Sequence, residues 1–253
     1  IANRWKCQIN ENSKSHAFAN TYPELDHNEI LGWLESGRQG VDQYVGVLLC
    51  SGNETAKMNT RAAVTEKLAA VGARADAVGV VAVDHPSVTE CVETLRQCGV
   101  PVFTLLTGLT APSRAGYIGL DNRKAGRTAA WGIARTARGP GEVALIVGSH
   151  RYLGHEMREI GFRSYFRENA PAFRVLDTLM NLEERRITHE ATLSLLKRHP
   201  DLAGICIAGG GMEGVIDALR EEGRAGTLSV VVNELTPETR SALVDDIVTF
   251  VIS

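Results

Sequence analysis

Three side chains stand where a strand-to-helix turn would aim them at a ligand. Asp121 follows the apolar run 116–120 and precedes the helix-patterned stretch 122–136. As structure it is an N-cap that satisfies orphan amides; as chemistry it is an acceptor for hydroxyl groups, and the two roles can coexist. Arg158 lies in 154–162 (GHEMREIGF), beside Glu156 and Glu159. It reads either as part of a solvated helix surface or as a planar fork holding hydroxyls or a carboxylate. Glu234 sits in 233–237 (NELTP) at the end of another apolar run. It is either a first-turn charge favoured by the helix dipole or a second acceptor opposing Arg158. Asp84-His85-Pro86 holds the analogous place earlier in the chain, where capping alone would explain it. The polar stretch 10–18 (NENSKSHAF), ending in Phe18, flanks a ligand or forms a plain loop.

The run Gly209-Gly210-Gly211-Met212-Glu213-Gly214 fits G-x-G-x-x-G, and Glu234 stands 20 residues after Gly214. That is the spacing of a dinucleotide fingerprint, whose acid reaches a ribose hydroxyl. Two features weigh against an NAD enzyme. The turn is about the eighth of its kind, whereas the fingerprint opens its domain, and only 19 residues follow Glu234. The preferred reading is a tight turn that offers helix-N-terminal amides to another ligand, with no cofactor.

His155-Glu156 invites a zinc-protease reading, but Glu159 stands where H-E-x-x-H needs its second histidine. His150 and His155 alone are a weak metal pair, and no metal is expected. The chain has no phosphate-binding G-x-x-x-x-G-K-[ST] and no G-x-S-x-G elbow. A glycosidase-like carboxylate pair stays open, because spacing cannot pair distant acids. The five cysteines (Cys7, Cys50, Cys91, Cys98, Cys206) are odd in number and form no C-x-x-C. They read as small hydrophobes in a reducing compartment.

The elements that would hold these residues alternate. Strand runs are expected at 4–10, 44–50, 77–83, 101–106, 116–120, 142–147, 173–179, 204–208, 228–233 and 247–252. Helices are expected at 24–38, 58–70, 86–98, 122–136, 153–168, 184–198, 212–222 and 237–244. The strand runs are near-continuously apolar, as in parallel strands covered on both faces. The expected fold is therefore α/β, with two doubly wound parallel-sheet lobes, because ten strands are many for one sheet. The polar stretch 134–141 suits a boundary, giving lobes at 1–138 and 139–253 and a ligand in the cleft between them. With 44% apolar and 23% charged residues, the chain is not a disordered one. Its net charge of −3 argues against these 253 residues holding nucleic acid by themselves. No apolar run reaches the roughly 18–20 residues that span lipid, so no membrane is expected. The first residues, Ile1-Ala2-Asn3, look like a cut, with a leader or another domain upstream.

The runs 115–127 (AGYIGLDNRKAGR), Gly148-Ser149, 155–162 (HEMREIGF) and 234–240 (ELTPETR) resemble, in order, the lac repressor/galactose repressor family. The stretches 77–83 and 99–102 fit as well. The resemblance covers about 77–253. It implies a periplasmic-binding-protein type I fold in its regulator form, with an effector-binding core that dimerises. Operator DNA would be held by a headpiece outside this chain, and the protein would be cytoplasmic. It further implies that Asp121, Arg158 and Glu234 contact a sugar-like effector, with first-lobe loops at Phe18, Asp84, His85 and Thr107 contributing. Thr107-Gly108 stands where many relatives have an acid, and the glycine run 209–211 where many have Asn or Asp. Both changes remove polar contacts. The last crossover back to the first lobe is also missing. The expected function is an effector-binding regulator core without catalysis, with a transporter's sugar-binding protein as the alternative.

Overall fold

A computed structural model describes residues 45–49 and 76–253. The expected strand 4–10, the helices 24–38 and 58–70, Phe18, Cys7 and Cys50 lie outside the described residues. The chain divides into two compact units after Ile118.

The first unit carries a parallel sheet in the order β1 (Val45–Leu49), β2 (Ala77–Val81), β3 (Val102–Leu105), β4 (Gly116–Ile118). Helix α1 (Pro86–Gln97) follows β2, and Pro86 suits its first turn because that turn needs no amide donor. Val78, Val80 and Val102 pack with Val92 and Leu95 of α1.

The second unit starts at Gly119. Its elements are α2 (Asn122–Thr136), β5 (Glu142–Val147), α3 (Leu153–Asn169), β6 (Arg174–Val175), β7 (Leu179–Met180), α4 (Arg185–Arg198), β8 (Gly204–Ile207), α5 (Met212–Glu221), β9 (Ser229–Asn233), α6 (Pro237–Val244) and β10 (Phe250–Ile252). The strands pair in parallel in the order β10-β9-β8-β5-β6, with β7 also on β5. Strand alternation explains the layering. Val143, Leu145 and Val147 of β5 pack with Ile133 of α2 and with Phe162 and Phe166 of α3. Ala144 and Ile146 face the other way, onto Leu195 of α4 and Val215 and Leu219 of α5. Both faces are thus covered, the doubly wound arrangement that the apolar runs implied.

Two differences from the sequence reading have local causes. The boundary at 138/139 put 122–136 in the first lobe. In the structure α2 packs along α3 and against β9, so it belongs with the second unit. The run 173–179 is two short strands rather than one. Arg163 of α3 donates to the Leu176 carbonyl at 3.0 Å, and Thr178 donates to Glu159 of α3 at 2.5 Å. These side chains engage the middle of the run, and ladder pairing resumes at Leu179.

Candidate functional site

Because the second sheet is all parallel, its carboxyl ends gather on one edge. There lie Gly148 after β5, Asn181 and Glu183 after β7, Gly209–Gly211 after β8, and Asn233 and Glu234 at the end of β9. Helix α3 brings Arg158 to the same edge. Its Nε donates to Asn122 Oδ1 at 2.7 Å and its Nη1 donates to the Ala208 carbonyl at 2.6 Å. Arg158 is therefore a half-buried fork joining α2 to the end of β8, not a solvated surface residue. A charged donor makes such bonds short and strong.

The placement is enforced by helix packing. A Cβ on Gly126 of α2 would lie 2.0 Å from the Arg158 carbonyl oxygen, and one on Gly161 of α3 would lie 2.1 Å from the Arg123 carbonyl oxygen. The two glycines let the helix backbones touch, which brings Arg158 within reach of Asn122.

Asn233 is the residue that motif reading passed over. Val231 points to the α2–α3 face, so Asn233, two residues on, points there too. It is 7% exposed. Its Nδ2 donates to the Ile207 carbonyl at 2.6 Å, while its buried Oδ1 has no hydrogen-bond partner. Asn233 shares a narrow crevice with Arg158, Ala208 and Cys206. A polar side chain at a buried strand position was the signal available in the sequence. Burial pushes the Cys206 thiol up to about 12, with Arg158 opposing the shift, so Cys206 is an inert apolar wall.

His155, one turn before Arg158, is also buried. Its ring stands edge-on to Tyr152, with centroids 5.4 Å apart. Its Nδ1 lies 3.3 Å from the Ser149 amide and 3.2 Å from the Ser149 carbonyl. Burial lowers its pKa to about 4, and the Arg158 charge adds to the effect, so the ring is neutral at pH 7. His150 is engaged with another partner, its Nε2 2.6 Å from Glu159 Oε2. The two histidines do not form a metal pair, and among the described residues no three metal-ligating side chains converge.

The remaining sequence candidates fall as follows. Asp121 caps α2, accepting from the Lys124 amide at 3.0 Å, and is exposed. Glu234 has a left-handed backbone, φ 75°. Its amide donates to Ile252 at 2.9 Å and its carbonyl accepts from Thr239 at 3.1 Å, which pins the strained residue. In the first unit, His85 caps α1 through Ser87, and Asp84 accepts from the amide and hydroxyl of Thr110, both at 3.0 Å. Thr107 is buried just after β3. The described structure thus brings Asp121, Arg158 and Glu234 to one unit, and Asp84, His85 and Thr107 to the other.

This parallel architecture gathers polar groups at the carboxyl ends of the strands, where open α/β sheets take their ligands. The chain belongs to the periplasmic binding protein domain family, which matches residues 30–253. A solved glucose-galactose binding protein from Geobacillus stearothermophilus is similar at a TM-score of 0.69 and 20% identity, covering 82% of this chain and 83% of that one. An ABC transporter solute binding protein from Burkholderia graminis, solved with D-arabinose, is similar at 0.69 and 22% identity, covering 82% and 81%. A bifunctional phosphoglucose/phosphomannose isomerase from Aquifex aeolicus is 40% identical over 68 residues. That stretch is 27% of this chain and spans 21% of the isomerase's length.

Proposed function

We propose that this chain binds a small sugar at the carboxyl edge of its second sheet, without catalysis, as the solute-binding component of a transport system. The observation that carries the reading is Arg158. Its guanidinium is held by Asn122 and the Ala208 carbonyl at the strand ends, where open α/β sheets take their ligands. Glu234, strained and pinned just after β9 at the carboxyl edge of the same sheet, supplies a carboxylate acceptor. The family and the sugar-binding neighbours support the same reading.

A second reading, the effector core of a lac repressor-type regulator, is favoured by one specific feature. The Asp121-Asn122…Arg127 segment resembles that family, and here it places Asn122 on Arg158. In that reading the core dimerises and sugar alters operator affinity. The NAD reading is disfavoured because the Gly210 amide already meets the Glu183 carboxylate at 3.3 Å, which repels a pyrophosphate.

Calorimetry with a panel of pentoses and hexoses tests the binding. Saturable heat for at least one sugar is expected, and a folded protein silent to all of them overturns the reading. Localising the gene product then separates the two roles. Export supports transport, whereas retention in the cytoplasm with specific DNA binding supports the regulator.

A further inference from the structure

The glycine run after β8 leaves a feature that sugar binding alone does not use. Gly209–Gly211 precede α5 (Met212–Glu221), and Gly211, the N-cap residue, has a left-handed φ of 83°. Bare amides in this position attract anions. Here a carboxylate already occupies the place, and it comes from another loop.

Glu183 follows β7 in a left-handed conformation, φ 61°, after Leu182 at φ 52°. Asn181 Oδ1 accepts the Glu183 amide at 2.9 Å, and Asn181 Nδ2 donates to the Gly210 carbonyl at 2.8 Å, so one side chain ties the two loops. Glu183 Oε1 accepts from the Gly210 amide at 3.3 Å and lies 3.5 Å from His155 Nε2. Three glycines clear its seat. A Cβ on Gly148 would lie 2.5 Å from Glu183 Cγ, one on Gly210 would lie 3.1 Å from Glu183 Cβ, and one on Gly209 would lie 3.2 Å from Glu183 Oε1. At the same strand ends Ala208, next to Gly209, accepts from Arg158 and lines a narrow crevice with Asn233, whose buried Oδ1 has no hydrogen-bond partner.

We infer that Glu183 is a specificity-determining residue that selects a neutral polyhydroxyl ligand and turns away phosphorylated or acidic sugars. The inference rests on the sugar-binding reading above. A carboxylate is an acceptor only, so it takes hydroxyl hydrogens and repels phosphate and carboxylate oxygens. Bonded to the Gly210 amide just ahead of the helix, it sets a negative charge at the end of the helix that would otherwise favour an anion. Its other neighbour, His155, is neutral at pH 7 and leaves that charge in place. Glu183 is also exposed enough to meet a ligand, its side chain being 35% accessible.

The test titrates the full chain with D-glucose, D-galactose, D-arabinose, D-glucose 6-phosphate and D-galacturonate. Wild type, Glu183→Gln and the neighbouring control Glu184→Gln are compared, each with its melting temperature. Wild type is expected to prefer a neutral sugar to the two anionic ones. Glu183→Gln is expected to weaken neutral binding about tenfold and to narrow the preference by a similar factor, with Glu184→Gln unchanged. Glu183→Asp, which keeps the charge, is expected to keep the rejection of anions, and it carries the test if the amide variant does not fold. An unchanged preference in Glu183→Gln, or wild type binding glucose 6-phosphate as tightly as glucose, overturns the assignment of Glu183 alone. A wild type that binds no compound in the set overturns the sugar-binding reading, and this inference with it.

Discussion

Gly126 and Arg158 touch backbone to backbone: a Cβ on Gly126 would lie 2.0 Å from the Arg158 carbonyl oxygen. The atom in the way belongs to a helix backbone and cannot rotate aside, so Gly126→Ala must push α3 from α2. Overpacking of this kind costs roughly 1–3 kcal/mol, and the upper end is expected here because the reciprocal contact at Gly161 moves too. For a chain of this size that lowers the melting temperature by about 6 °C or more. The same shift draws Arg158 away from Asn122, so sugar affinity falls together with stability. Thermal melts and calorimetry on one preparation check both. A variant that melts like wild type contradicts the packing argument.

Asn122 is the acceptor that orients the Arg158 fork, and it is buried. Asn122→Ala removes the acceptor while leaving the charge. A hydrogen bond to a charged group is worth about 1.5–3 kcal/mol. Sugar affinity should then fall by roughly tenfold or more, with little change in which sugars bind. Arg158→Lys should fare no better, since an ammonium cannot span Asn122 and the Ala208 carbonyl as a planar fork does. Full affinity in either variant would remove Arg158 from the site.

The layers of the second unit were legible because Val143–Val147, Gly204–Ile207 and Ser229–Asn233 are near-continuous apolar runs, a pattern that buried parallel strands require. Boundaries were less so. The run 173–179 has strand composition, yet side chains of α3 engage its middle, and such contacts are invisible in linear sequence. Asp121, Arg158 and Glu234 stood out by type and by resemblance. Glu183 had no signal of its own, because its seat is made by Gly148, Gly209 and Gly210 from two other loops. Asn233 had one, the alternation from Val231, and it stands directly before Glu234, the residue that its type and the resemblance singled out.

Asn233→Asp tests the buried amide with an almost isosteric change. Its Nδ2 donates to the Ile207 carbonyl at 2.6 Å, and aspartate would set a carboxylate oxygen against that carbonyl. An ionised, unpaired buried group is costly, and Nε and Nη1 of Arg158 already donate to Asn122 and Ala208. Destabilisation by about 2–4 kcal/mol at pH 7 is expected, easing as the acid is protonated. Urea melts at pH 7 and pH 5 measure it. A gain in stability at pH 7 would mean that Arg158 turns to meet the new charge, and that Ile207 does not set the preference.

His155 gives the fold a defined response to acid. Burial, reinforced by the Arg158 charge, lowers its pKa from 6.5 to about 4. Above pH 6.5 the ring is neutral in both folded and unfolded chains, and its contribution is fully present. As the pH falls from 6.5 toward 4, the unfolded chain takes the proton first, so stability declines. Below the folded value both forms are protonated and the loss is complete. The shift corresponds to roughly 3 kcal/mol. Other groups contribute to acid unfolding as well, notably Glu159, whose carboxyl is held below its ordinary value by bonds from Thr178, Arg163 and His150 despite partial burial. The His155 share is isolated by comparison with His155→Phe, which keeps a ring against Tyr152 and cannot take a proton. Between pH 7 and pH 4.5 the variant should lose markedly less stability than wild type in urea melts. Parallel losses in the two proteins would show that His155 titrates near its ordinary value and that its burial is incomplete in solution.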